Sequence, residues 1–110
     1  MDDPTDLLDR LRADLRVAMK ERDRDTVTAL RTALAAVANA EAPPDDGSYP
    51  ESHGRLVEHA RLVLTGTDVA RILREQVADR HDTLARIGPG GPPDALAALR
   101  AEIAVLERYV

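Results

Sequence analysis

The 110-residue chain is long enough for one domain with a single hydrophobic core, and we predict that this domain spans residues 1–110. The absence of cysteine excludes disulfides, thiolate chemistry and cysteine-based metal sites. The net charge of −5 makes the whole molecule a poor non-specific ligand of DNA, so we expect no DNA partner. The acidic first residues do not resemble a signal peptide, and no apolar run approaches a membrane span, which favours a cytoplasmic protein without membrane contact.

The apolar composition predicts an all-α fold. The chain has no Phe or Trp, and Tyr49 and Tyr109 are its only aromatic residues. The core must therefore be built from Leu, Val, Ile and Ala, and alanine allows helices to approach each other closely. Few β-branched or aromatic residues alternate with the period of two that a sheet requires. We predict a compact bundle of about four helices.

The first predicted helix begins at Asp3-Pro4, with Asp3 as N-cap and proline at the first helical position. One face then stays apolar to about residue 22. The residues of this apolar row are Leu8, Leu11, Leu15, Ala18 and Met19.

A second helix follows a charged corner at residues 21–25, where Asp23 or Asp25 can serve as its N-cap. We expect it to end at about residue 41, because Pro43-Pro44 cannot continue a helix. The two helices should form an antiparallel or bent hairpin. The apolar row of the second helix is Val27, Leu30, Leu34 and Val37, with Ala29, Ala33, Ala36 and Ala40 beside it.

Residues 43–54 have the composition of a turn-rich surface loop. Residues 55–64 fit either a short helix or an extended segment, and we expect an irregular, partly helical connection.

A third helix is predicted from Thr67, as N-cap, to Gly88, which ends it. A proline- and glycine-rich connector leads to a fourth helix that we expect to start at Asp94. The predicted apolar rows are Val69, Ile72, Leu73, Val77, Leu84 and Ile87 in the third helix and Leu96, Leu99, Ile103, Leu106 and Val110 in the fourth.

Basic residues cluster in the first two predicted helices. Residues 10–31 contain seven basic and four acidic side chains, a local balance of +3 against −5 for the whole chain. Arg12, Arg16 and Lys20 follow one another at a spacing of four, which places them in a stripe beside the apolar row. Such a stripe either contacts RNA phosphates or is a solvated flank whose arginine stems cover the edge of the core.

Five stretches in order resemble the GatB/YqeY domain family, the YqeY-like proteins. Together they cover nearly the whole chain apart from its ends and the loop near residues 43–54. The stretches are AMKERD (18–23), LRTALAAVANAE (30–41), LTGTDV (64–69), REQVADRHDTLARI (74–87) and AEIAVLERYV (101–110). Residues 54–64 look most like the actinobacterial branch of the family.

The resemblance implies a fold like the N-terminal domain of YqeY proteins and a link to translation. Longer members continue into a second small helical subdomain related to the tail of GatB, a subunit of a tRNA-dependent amidotransferase. Since the sequence ends at Val110, we expect it to lack that subdomain. A family-level label of carbon–nitrogen ligase with glutamine as amido donor follows from the GatB likeness alone, because a tail domain does not carry the amidotransferase chemistry.

The resemblance also points to polar residues within or beside the apolar rows. Arg31 directly follows Leu30, and Arg80 is expected on the buried side of the third helix, where it needs a carboxylate such as Glu41 or Glu58. Such a set is either a buried ion-pair network that fixes the helices or a polar pocket for a small anion or an RNA end. The family set comprises Lys20, Arg31, Asn39, Glu41, Glu58, Arg61 and Arg80.

Two functions from different classes follow. The first is a non-catalytic accessory that contacts tRNA, or a tRNA-dependent amidotransferase-type complex, through Arg12, Arg16, Lys20, Arg22 and Arg31. The second is a helical protein-interaction module with no RNA role, with homo-oligomers as one form, using residues 55–64 or the last two helices. We expect no enzyme activity, cofactor or metal, because no nucleophile with a base, phosphate cradle or ligand spacing is evident.

Overall fold

A computed structural model describes residues 4–42 and 64–110, with side chains from residue 6 onward. It contains four α-helices: α1 (Pro4–Glu21), α2 (Arg24–Glu41), α3 (Gly66–Ile87) and α4 (Pro93–Glu107). No strand occurs in these residues, so the predicted all-α bundle is confirmed. The predicted Asp3 cap, the loop at 43–54 and most of the segment at 55–64 lie outside the described residues.

A two-residue corner connects α1 to α2, and the two helices pack against each other as a hairpin. The N–H of Arg22 bonds to the carbonyl of Met19, and the N–H of Asp23 bonds to that of Ala18, the paired bonds of a Schellman motif. Asp23 then caps α2, accepting hydrogen bonds from the Thr26 hydroxyl and backbone N–H, and these bonds lower its pKa. Of the two predicted caps, Asp23 is the one used, and α2 ends at Glu41 as predicted.

The predicted N-cap of the third helix was wrong by two residues. Thr65 caps α3: its hydroxyl accepts from the N–H of Asp68, and the Asp68 carboxylate accepts from the N–H of Thr65. This reciprocal capping box satisfies two backbone donors, whereas Thr67 already lies within the first turn. The helix ends at Gly88 as predicted, with φ of 78°, a left-handed value that glycine adopts without strain.

The fourth helix begins at Pro93, one residue before the predicted start at Asp94. Proline fits this first helical position, because its fixed φ is helical and its missing N–H would have had no partner there. Asp94 instead places a negative charge in the first turn, where the helix dipole favours it.

The core confirms most of the predicted apolar rows. α2 and α3 each pack against the other three helices. Fully buried side chains come from all four helices: Leu11, Leu30, Val37, Val69, Leu73 and Leu106.

Three predicted members of the rows are exposed instead: Met19 (49%), Ile87 (37%) and Val110 (50%). Ile87 is the last residue of α3, and Val110 lies beyond the end of α4, where helical spacing no longer sets direction. Tyr109, the residue before Val110, is buried instead.

Candidate anion-binding groove

A groove of about 670 Å³ opens at the corner between α1 and α2. Four of its residues, at positions 24, 27, 28 and 31, have the spacing of one helical face and come from α2. The lining residues are Met19, Arg22, Arg24, Val27, Thr28 and Arg31. Guanidinium groups therefore meet two apolar side chains and one hydroxyl in a concave surface.

The three arginines of the groove are exposed and carry their charge into it. None of them forms an ion pair with a carboxylate in the part of the chain that the structure describes. On α3, by contrast, Arg71 contacts Glu75 at 2.7 Å and Asp68 at 3.7 Å. The guanidinium groups of the groove thus have no direct carboxylate partner among the described residues, although Glu21, Asp23 and Asp25 flank Arg22 and Arg24 in sequence. Unpaired guanidinium groups suit the groove to an anion.

Arg22 occupies its place in the groove with an unusual backbone. Its φ is 57°, the one positive φ at a non-glycine residue in the described chain. This is the Schellman position after a helix, where glycine is the usual residue because a Cβ costs free energy there. The corner between α1 and α2 therefore has an arginine at a position where a side chain strains the backbone.

Met19 and Arg31 join the two helices across the groove. The Sδ of Met19 lies 3.9 Å from Nη2 of Arg31, although the residues are twelve apart in sequence. Met19 lies on the flank of α1 rather than on the buried face that holds Leu11 and Ala18. Its exposure, unexpected from the apolar row, makes its thioether part of the groove.

The predicted basic residues of α1 are all exposed, and none of them lines the groove itself. Arg12 and Arg16 precede Met19 by seven and three residues, which places them on the same flank of the helix. Arg12 lies 3.7 Å from Asp9, so part of its charge is balanced locally. Lys20 follows Arg16 by four residues along the same stripe.

Arg24 is a groove residue that belongs to the predicted basic cluster of residues 10–31 but was not among the predicted RNA-contact residues. Its spacing from Arg31 is seven residues, so both lie on one face of α2. That spacing was readable from the sequence once α2 was known to begin at residue 24 rather than after Asp25.

The opposite flank of α1 contacts Tyr109, near the end of the chain. The Tyr109 hydroxyl donates a hydrogen bond to Asp14, and the Arg10 guanidinium lies 5.4 Å from the ring centroid. Burial raises the pKa of Tyr109 to about 12, and the hydrogen bond to Asp14 acts in the same direction. These contacts hold the end of the chain against α1.

Among the described residues, no cluster of His, Cys, Asp or Glu side chains has the arrangement of a metal site.

Arg80 is buried as predicted, and its carboxylate partner among the described residues is Glu102, not Glu41; Glu58, the other expected partner, lies outside them. The Nε of Arg80 donates to Oε1 of Glu102 at 3.0 Å, and Nη2 donates to the Thr32 hydroxyl at 2.7 Å. Nη1 donates to the backbone carbonyl and the side chain of Gln76, both at 3.1 Å. The Glu102 carboxylate was missed because it lies on α4, 22 residues away, and only packing brings it to α3.

The other members of the family set lie apart from Arg80. Arg31 and Asn39 are exposed, and Glu41 is half-buried at the end of α2. Glu58 and Arg61 lie outside the described residues. The structure therefore divides the set: Arg80 is enclosed between α2, α3 and α4, whereas Arg31 belongs to the groove.

The fold and the groove define a small all-α domain that has a buried helical core and an arginine-lined groove at the corner between α1 and α2. Comparison with known families agrees with the resemblance noted above: the family model described as Yqey-like protein matches residues 8–110. The chain therefore belongs to the Yqey-like protein family. No curated protein and no solved structure matches it significantly. Among the described helices, none is both long enough and apolar enough to cross a membrane.

Proposed function

We propose that this domain is a non-catalytic RNA-binding accessory of translation that contacts tRNA, alone or within a tRNA-dependent amidotransferase-type complex. The observation that carries the proposal is the groove, which Arg22, Arg24 and Arg31 line without carboxylate ion-pair partners among the described residues. Arginine binds phosphate through a planar fork of donors. The link to tRNA comes from the family resemblance.

The arrangement of charge supports contact with a polyanion. The molecule carries −5 overall, so binding must be local rather than a property of its whole surface. Arg12 and Arg16 on α1 and Arg24 and Arg31 on α2 each extend over about 5–10 Å of helix. Together they allow several phosphates of a folded RNA to be contacted at once.

A binding role fits the groove better than catalysis does. Its lining offers cations, apolar side chains and the Thr28 hydroxyl, and no histidine or carboxylate that would act as a general base is among them. Such a set holds an anion in place. The carbon–nitrogen ligase label therefore stays outside the proposal.

The test is the salt dependence of binding to fluorescently labelled bulk tRNA, measured by anisotropy. Each phosphate contact adds about 0.7–0.9 to the slope of log affinity against log salt concentration. We expect the triple substitution Arg22→Gln, Arg24→Gln, Arg31→Gln to lower that slope by about 1–3 and to weaken binding at least about tenfold. Lys20→Glu should weaken binding as well.

A matched control removes the same charge elsewhere. Arg74, Arg86 and Arg100 are exposed on α3 and α4 and do not line the groove, so their triple glutamine variant should bind tRNA almost as the wild type does. Equal losses in both triple variants would mean that net charge alone governs binding. Absence of tRNA binding by the wild type at low salt would refute the proposal.

The alternative of a protein-interaction module stays a prediction. Residues 55–63 of its first candidate surface lie outside the described part of the chain. On α3, Val69, Ile72 and Leu73 are buried in the core, and Ile87 is the exposed large apolar residue. Sedimentation velocity over a range of concentrations distinguishes the two functions, since an oligomerising module changes mass with concentration.

A further inference from the structure

The dimensions of the groove fit one small ligand. Its volume of about 670 Å³ lies in the range of pockets that hold small molecules, roughly 300–1,000 Å³. The groove is open to solvent and most of its lining side chains are exposed, so a ligand bound there stays partly solvated. A single nucleotide is of a size that the groove can receive.

The lining combines two kinds of contact that a nucleotide needs. Three guanidinium groups face a phosphate, and a terminal phosphomonoester carries about −1.5 to −2 charge at pH 7, more than an internal phosphodiester. Met19, which is 49% exposed, and Val27 offer apolar surface for a base or ribose. Arginine planes themselves also stack on unpaired bases.

The strain at Arg22 indicates that its side chain matters at this position. Glycine would hold the same Schellman corner without a Cβ in the left-handed region, where φ is 57°. Residues with a strained backbone are concentrated at active sites and ligand-binding sites. The strained residue also lines the groove, where its side chain can reach a ligand.

We infer that the groove binds the 5′-phosphorylated terminal nucleotide of an RNA strand, with its phosphomonoester among Arg22, Arg24 and Arg31 and its base or ribose against Met19. This inference rests on the proposed RNA-binding function and assigns the groove a particular part of the RNA. It distinguishes an end-binding site from a surface that follows the RNA backbone.

The first experiment compares single-stranded RNA oligonucleotides of one sequence that carry a phosphate at the 5′ end, at the 3′ end, or at neither. We expect the 5′-phosphorylated form to bind at least about tenfold tighter than the other two forms. Equal affinity of all three would overturn the inference while leaving tRNA binding intact. If neither tRNA nor any oligonucleotide binds, the proposed function fails together with it.

The second experiment separates the nucleotide from its phosphate. AMP, O-phosphoserine and inorganic phosphate are titrated into the isotope-labelled protein, and amide chemical shifts are followed. AMP should bind the groove more tightly than the other two, and Met19→Ala should weaken AMP at least about threefold while leaving inorganic phosphate unchanged. O-phosphoserine binding as tightly as AMP would show a general phosphate site and overturn the nucleotide assignment.

The third experiment uses Arg22→Gly, which keeps the corner but removes the guanidinium. We expect this variant to melt at a higher temperature than the wild type and yet to bind AMP at least about fivefold more weakly. Because stability and binding change in opposite directions, the loss cannot come from unfolding. Arg100→Gln on α4 is the matched control and should bind AMP normally. Unchanged AMP binding by Arg22→Gly would overturn the inference.

Discussion

The buried pair of Arg80 and Glu102 gives the sharpest prediction about stability. Their side chains are only 10% and 13% exposed, and they meet at 3.0 Å. Removing one member leaves the other charge buried without its partner, which costs about 3–5 kcal/mol. We therefore expect Arg80→Met and Glu102→Leu each to reduce the free energy of unfolding by that amount.

Replacing both residues should cost far less than the sum of the single losses. The pair was taken out of water at a desolvation cost that offsets most of its attraction, so an apolar pair of similar volume loses less than about 2 kcal/mol. Thr32 keeps its own hydrogen bonds, since its hydroxyl also lies 3.0 Å from the carbonyls of Thr28 and Ala29. The coupling energy between the two positions should therefore be several kcal/mol.

Urea and thermal unfolding, followed by helical circular dichroism, measure these losses. A loss of 3–5 kcal/mol lowers the melting temperature by roughly 12–20 °C in a domain of this size. Glu75→Gln is the matched control: Glu75 and Arg71 lie 2.7 Å apart but are 57% and 54% exposed, so the loss should stay below about 1 kcal/mol. Single losses near that of the control, or a double loss equal to the sum, would refute the reasoning.

Further predictions concern the helix ends and the alkaline limit of stability. Thr65→Ala should lower stability by about 1 kcal/mol because it removes the α3 cap, whereas Thr67→Ala, its neighbour inside the helix, should change little in the same urea titration. Gly88→Ala should cost about 1 kcal/mol, since φ is 78° there, and Gly90→Ala, which has open space around its Cβ and no positive φ, serves as control. The pKa of Tyr109 is raised to about 12 in the folded protein, so the folded state holds that proton more tightly. Stability should therefore fall as pH rises from about 10 to 12, and Tyr109→Phe should remove that part of the fall. An identical alkaline loss in this variant would contradict the assignment.

Local signals allowed most of the fold to be predicted. The bounds of α2 follow from a capping aspartate and a pair of prolines, and the end of α3 follows from Gly88. Each signal acts within a few residues of the chain, so it can be read without knowledge of packing. The errors at Thr67 and Asp94 are small for the same reason: neighbouring residues compete for one local role.

The candidate site was predicted only in part. Arg22 and Arg31 were among the predicted RNA-contact residues, but Arg24 and Met19 were not. Met19 was assigned to the core, because a methionine in an apolar row looks like a core residue. Glu102 was not predicted as a partner of Arg80, since it lies on a different helix.

The sequence by itself determined the class of fold, the family and the approximate ends of the described helices, because helical periodicity and capping act over three to four residues. Only the tertiary structure decided which side chains meet: Met19 with Arg31 across the groove, and Arg80 with Glu102 and Thr32 in the interior. These contacts join residues 12 to 48 positions apart. Their partners depend on how the helices pack against one another, and no local pattern in the chain carries that information.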